Sequence, residues 1–291
     1  MLWCLGKTYG FLGDCYAAYE HLQEACHLFN ALLPGDSEMQ QLCCHCMIDL
    51  VNAMSSTFED SDMVVSLARD VEKQSATISD DLVHSWSLIV LVLALEKSGH
   101  WQEALHHLEC AKLMAMGSIY LTDACYWIAI VHYHENRLPE ALGAAKEAWK
   151  HAELRNSLMD QAQISLVLGM ILFSANRDRE AWKYIKISLM KNSQFGNQCD
   201  GATTLEYMGY GYLQRGDYIN AYGAYKAAAE NYLGTVDEEP DGTTCKDNMA
   251  KIKDKQRNPD LDIGFKRPRM DNDWPSLFYP VVKAFPGDRS D

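Results

Sequence analysis

LEYMGYGYLQRGDYINAYGAYKAAAENY, residues 205–232, decides the fold. Two apolar-periodic runs flank the polar break Arg215-Gly216-Asp217. In the second run Tyr225 and Ala228 lie four and seven residues after Ala221. In the first, Tyr212 lies three residues after Gly209. Offsets of three, four and seven place side chains on one stripe of a helix. A glycine at the break tolerates the left-handed conformation that ends a helix. The stretch therefore predicts helix, short turn, helix, with small residues where the two helices approach.

The same phrase recurs along the chain. Gly13-Asp14-Cys15-Tyr16-Ala17-Ala18 opens the series, and Gly99-His100-Trp101-Gln102-Glu103-Ala104 repeats it. Asn136-Arg137-Leu138-Pro139-Glu140-Ala141 and Asn176-Arg177-Asp178-Arg179-Glu180-Ala181 follow. From Ala104 the alanines come at Ala141, Ala181 and Ala221, a period near 40. The gap between Ala18 and Ala104 holds one degenerate unit, Cys43–Lys73, with Val64 at the alanine position. Twelve residues before the alanine stand Gly6, Gly169 and Gly209, usually after a large residue. A single helix pair of this kind cannot bury its apolar stripes alone, so the units must stack.

The pattern of Leu-Gly, Tyr, Ala, aromatic and Ala resembles the tetratricopeptide repeat family. The likeness covers residues 2–234, is strongest at Leu205–Tyr232 and weakest at Cys43–Lys73. It departs in period, since the family repeats at about 34 residues, and it lacks the family's closing proline in most units. The extra residues are expected to lengthen helices or loops. The wording is also similar to that of basidiomycete fungal proteins of this class, some of which carry the repeats behind a nucleotide-switch domain of the STAND type. The expected fold is all-α: an α-solenoid of about six helix pairs over residues 1–234. A loop and capping helix over 235–256 should follow, with Met249 and Ile252 docking on the last pair. Residues 257–291, rich in proline, should form a largely disordered tail. Leu2 falls in a helix already in mid-pattern, which reads as a piece of a longer chain.

Composition narrows the function. The 291 residues carry 26 Lys+Arg against 40 Asp+Glu, a net charge of -14. Nucleic-acid binding needs a clustered basic face, so this acidic chain is expected to bind none. The apolar runs Trp86–Leu95 and Ile164–Phe173 are too short to span a bilayer. No basic leader followed by a long apolar run occurs at Met1–Lys7, and a cytoplasmic location with reduced cysteines is expected, the basic quartet Lys266-Arg267-Pro268-Arg269 offering a nuclear signal as the weaker alternative.

Catalytic motifs are missing from the sequence. There is no phosphate loop, no Gly-x-Ser-x-Gly elbow and no His-Glu-x-x-His. Cys43-Cys44-His45-Cys46 has metal-ligand residue types, but neighbours one and two apart do not face each other on a helix. Neither an enzyme activity nor a metal or cofactor is expected. What remains is a surface. The family resemblance implies a concave groove lined by the first helix of each pair. Its expected lining is Trp86, Ile89 and Leu93, then Asp123, Tyr126, Ile130 and Tyr133. Met170 and Phe173 follow, then Glu206, Tyr207, Tyr210 and Gln214. An aromatic and acidic groove suits a basic or amphipathic peptide or protein segment. The first helices lack the Lys, Arg and Asn set with which relatives clamp a terminal carboxylate, so no such clamp is expected. The leading expectation is a non-enzymatic interaction scaffold. The alternative is the sensor or autoinhibitory repeat arm of a larger STAND-type switch protein.

Overall fold

The computed structural model describes residues 1–11, 15–32, 37–57, 61–78, 80–195, 198–232 and 240–258. All regular structure among them is helical. Contacts group the chain into two compact units, one over Met1–Tyr120 and a second starting at Leu121. The first contains α1 (Leu2–Phe11), α2 (Cys15–Leu32), α3 (Ser37–Thr57), α4 (Ser61–Ser75), α5 (Asp81–Lys97) and α6 (Trp101–Met114). The boundary falls at the first residue of α7 (Tyr120–His134). Then come α8 (Leu138–Leu154), α9 (Leu158–Ser174), α10 (Asp178–Phe195), α11 (Gln198–Gln214), α12 (Tyr218–Tyr232) and α13 (Pro240–Arg257).

Consecutive helices pack on one another from α1 to α6 in the first unit and from α8 to α13 in the second, and alternate helices also meet. In the first unit α3 touches α1 and α5, and in the second α9 touches α11. This is the connectivity of an α-solenoid, in which first helices form one layer and second helices the other.

The turns explain the repetition. Among the described residues five of them are three residues long: 98–100, 135–137, 155–157, 175–177 and 215–217. In each the middle residue has a positive φ: Gly99 at 73°, Asn136 at 58°, Asn156 at 52°, Asn176 at 57° and Gly216 at 71°. That residue's N–H donates to the carbonyl three back, and the next N–H donates to the carbonyl five back. Asn136 to Tyr133 (3.0 Å) with Arg137 to His132 (2.8 Å) is one example, and Gly216 to Leu213 (2.9 Å) with Asp217 to Tyr212 (3.0 Å) another. Such paired bonds satisfy carbonyls that a helix end leaves open. Glycine and asparagine are the residues that take this backbone conformation at little cost. The turns are short, so the residues beyond the usual 34 lie in the helices. α8, α9 and α11 each have 17 residues. Side-chain caps start two of the first helices: Asp80 accepts from the N–H groups of Leu82 and Val83, and Ser157 accepts from Asp160.

The helices of a pair are held at close range by their small residues. A Cβ added to Gly6 would lie 2.6 Å from Leu22 Cγ, and one on Gly169 2.6 Å from Ile185 Cδ1. On Gly209 it would lie 3.0 Å from the Tyr225 ring. The alanines Ala18, Ala104, Ala141, Ala181 and Ala221 have no exposed surface. The degenerate unit keeps this register, with Val64 buried where the alanine stands elsewhere. In α9 every residue from Ile164 to Leu172 is buried, which accounts for its unbroken apolar run. Among the described residues no helix is long and apolar enough to cross a membrane.

α13 packs on α12 as a cap. Cys245 and Ile252 join Ala221, Tyr225 and Ala228 in one cluster, with Met249 against it. The helix begins at Pro240, inside the stretch that the sequence reads as loop. A proline in the first turn gives up only an N–H that has no partner within the helix. The turn of the first repeat (residues 12–14) and the expected tail beyond residue 258 lie outside the described residues.

The glycine contact gives a stability test. Gly169→Ala is expected to lower unfolding stability by about 1–3 kcal/mol, the usual cost of overpacking. Ile185→Ala placed in that background should cost less than in the native chain, because it opens the space the new methyl needs. A urea double-mutant cycle measures the difference, and strict additivity would show that the two residues do not contend for that space.

Candidate functional site

The expected groove residues divide by burial. Trp86, Ile89, Tyr126, Ile130, Met170, Glu206 and Tyr207 are buried against neighbouring helices. Leu93, Asp123, Tyr133, Phe173 and Tyr210 keep partial exposure, and Gln214 is exposed. In the second unit the Tyr133 hydroxyl and Ser174 Oγ lie 3.1 Å apart, linking α7 to α9. Phe173 meets Trp182 edge-on at 5.6 Å. Its ring also comes so near α11 that a Cβ on Gly211 would lie 2.7 Å from Phe173 Cζ. Burial raises the Tyr210 phenol above its usual pKa. Burial, with the Glu206 carboxylate next in effect, raises that of Tyr225. The partly exposed set in this unit therefore spans successive first helices and combines aromatic rings with the Asp123 carboxylate.

A second constellation lies in the first unit, on α1, α3 and α5. Trp3 and His45 stack at 6.4 Å and 21°. His45 is tilted against Trp86 at 5.5 Å, and Trp86 stacks on Tyr120 at 5.8 Å and 16°. One turn beyond His45, Asp49 is buried with 0% exposure. Trp3 Nε1 donates to Asp49 Oδ2 at 2.7 Å, and Lys7 Nζ lies 3.6 Å from the same oxygen. The Lys7 ammonium also sits 5.3 Å from the Trp3 ring centroid, within cation–π range. Asp49 Oδ1 has no hydrogen-bond partner. Burial raises the Asp49 carboxyl above its ordinary pKa and outweighs the opposing pull of Lys7 and Trp3. Burial, then Lys7, lowers His45.

Sequence reading missed Trp3, Lys7 and Asp49, although a signal was there. Counting fifteen residues back from each repeat's alanine position gives Trp3, Asp49, Ile89, Tyr126, Leu166 and Glu206. Four of those six are large apolar or aromatic residues. The two carboxylates interrupt the pattern, one in each unit, and both are buried. A charged group at a core register is the departure that burial makes costly.

The neighbouring cysteines have a packing role. Cys43, Cys44 and Cys46 are all buried, and the Cys26 and Cys46 sulfurs lie 3.4 Å apart. The Cys46 thiol donates to the Leu22 carbonyl at 3.6 Å. Burial pushes the Cys43 thiol up to about 11 and the Cys44 thiol up to about 12, so both are protonated at neutral pH. Among the described residues no three His, Cys, Asp or Glu side chains are grouped to hold a metal ion. A shallow hollow of about 380 Å³ lies between α4 and the α5–α6 turn. Asp62 and Asp70 there offset Arg69 and Lys73, which leaves it no clear charge preference.

With this geometry in view, comparison with known proteins identifies the architecture. No protein-family model matches the sequence, and no curated protein does. Solved structures do. The apo form of RapI matches with a TM-score of 0.64 at 12% identity, over 79% of this chain and 81% of that one. The Rap conjugation gene regulator of plasmid pLS20, solved with the Phr* peptide, matches with a TM-score of 0.60 at 18% identity, over 89% of this chain and 75% of that one. A putative kinesin light chain with nearly identical TPR-like repeats, from Podospora anserina, gives 0.52 at 14% identity, over 67% and 94%. At such identities the likeness concerns the fold. The chain has a tetratricopeptide-like helical-repeat fold.

The Asp49 environment has a consequence for pH dependence. A carboxyl whose pKa is raised by folding contributes stability below its ordinary pKa and loses it as pH climbs through the raised value. Lys7 on α1 is the other titratable group acting on it, and Asp49 in turn helps to raise the Cys46 thiol on α3. The native chain should therefore lose stability relative to Asp49→Asn as pH rises from about 4, near the ordinary aspartate pKa, to about 7. Asparagine keeps an oxygen for the Trp3 N–H without a buried charge. Urea midpoints at the two pH values measure this, and a constant difference between the proteins would contradict it.

Proposed function

We propose that this protein is a non-enzymatic helical-repeat scaffold that binds a peptide segment of a partner protein along its first helices. The observation that carries the reading is the partly exposed set on α7, α9 and α11: Asp123, Tyr133, Phe173 and Tyr210. Aromatic rings on rigid helices supply large contact area at small entropic cost, the property that makes tyrosine frequent at binding hot spots. A carboxylate beside them favours a basic or amphipathic segment.

The comparisons support the reading in outline. The pLS20 Rap regulator was solved with the Phr* peptide, and another matching Rap protein with the competence and sporulation factor. For this chain the proposed binding surface is restricted to the exposed parts of the inner helices. Ile130 and Met170 are buried and serve to anchor α7 and α9.

A displayed library of random peptides, panned against the full chain, tests the proposal. Selected peptides should be enriched in Lys and Arg. Their affinity should drop at least about tenfold on Tyr210→Ala, the range of a binding hot spot, and fall more mildly on Asp123→Asn. Both variants should keep the native helical content. Failure to enrich any peptide, or enrichment of peptides indifferent to both substitutions, would overturn the reading.

A further inference from the structure

The Asp49 site is an ion pair left incomplete. A well-formed ammonium–carboxylate hydrogen bond is about 2.7–2.9 Å long. Lys7 Nζ stops 3.6 Å from Asp49 Oδ2, and Oδ1 has no donor. The carboxylate is fully buried, whereas the Lys7 side chain keeps 21% of its surface exposed. Lys7 thus lies between the buried anion and solvent. Trp3 offers its ring face to the same ammonium, and His45 stacks beside Trp3. The aromatic run then continues over Trp86 to Tyr120. A purely structural pair gains from short contacts on both oxygens. Here one tethered cation reaches one oxygen loosely.

We infer that Trp3, His45 and Asp49 form a recognition site for a primary ammonium carried by a ligand, such as a peptide lysine, and that Lys7 is its resident substitute in the free chain. An incoming alkylammonium displaces Lys7 toward solvent, where the displaced charge is readily hydrated. The new cation, not tied to α1, approaches both Asp49 oxygens while its methylenes lie along Trp3. His45 does not oppose it, because burial disfavours its charged form. The inference deepens the peptide-binding reading and rests on it for the nature of the ligand. The site itself is separate from the α7, α9 and α11 residues on which that reading stands.

Replacing the tethered cation by a free one is the test. Lys7→Ala removes the substitute and leaves Asp49 without a cation, so its melting temperature should fall by several degrees. Adding n-butylammonium chloride at about 50 mM should then restore a few degrees by mass action. Equal concentrations of n-butanol or sodium chloride should not, and neither should n-butylammonium added to Lys7→Ala/Asp49→Asn. Rescue that the controls reproduce, or that persists in the double variant, would overturn the inference. A second measurement needs no loss of Lys7. Calorimetric titration with tetralysine amide should show binding to the native chain at least about tenfold tighter than to Asp49→Asn. Equal affinity, or no detectable binding to the native chain, would also overturn it. Neither experiment depends on Tyr210 or Asp123, so peptides selected through those residues can survive its failure. Butylammonium rescue can likewise succeed where the library yields nothing.

Discussion

The close approach of two helices within a pair is the constraint on which everything else rests. Gly6, Gly169 and Gly209 each present bare backbone to a large side chain sixteen residues on: Leu22, Ile185 or Tyr225. That partner sits one turn past the buried alanine of its own helix. Backbone and side chain therefore interlock with little space between them, as ridges enter grooves in helix packing. In the pair made by α7 and α8 the corresponding positions hold Ala129 and Ala145, both buried. There both residues are small. In the pair made by α5 and α6 they hold Val92 and Leu108, both buried, so a small residue at this contact is frequent and not universal.

Between pairs, polar groups fix the register that apolar packing leaves loose. Ser188 Oγ lies 3.1 Å from Thr204 Oγ1, and the Asn192 amide donates to both at 3.4 Å, joining α10 to α11. Ser75 and Ser87 pair at 2.6 Å between α4 and α5, and Ser85 donates to the Ala111 carbonyl on α6. A slip along any of these contacts strands a buried hydroxyl, at a cost of about 1–3 kcal/mol. Asp49 and Glu206 differ from these groups in placing carboxyls at positions where other pairs have Trp, Ile, Tyr or Leu.

Most of the architecture was legible because it is written in spacing. The alanine period, the glycine twelve residues earlier in three units and the Gly or Asn at five breaks are local in sequence, and each maps onto a local structure. The candidate surface was less legible. Helical periodicity gives the direction of a side chain and not the depth of the neighbour that covers it. Tyr207 and Tyr210 stand one turn apart on α11, yet Tyr207 is buried and Tyr210 partly exposed. Asp49 was obscured differently. It lies in the degenerate unit, where attention falls on Cys43-Cys44-His45-Cys46, and its partners Trp3 and Lys7 are more than forty residues away.

The left-handed asparagines carry one more consequence. Asn136, Asn156 and Asn176 stand at intervals of twenty residues, so first and second helices end in the same way and the repeat divides into two equal half-periods. Equal halves keep both helix layers in phase, and this explains how a period near 40 replaces a shorter one without disturbing the stripes. The same regularity makes the chain intolerant of small length changes. Removing one residue within α8 rotates the rest of that helix by about 100° and swings its buried alanines toward solvent. Between Ala104 and Ala141 the spacing is 37, and there a shorter α6 of 14 residues is followed by a longer turn before α7.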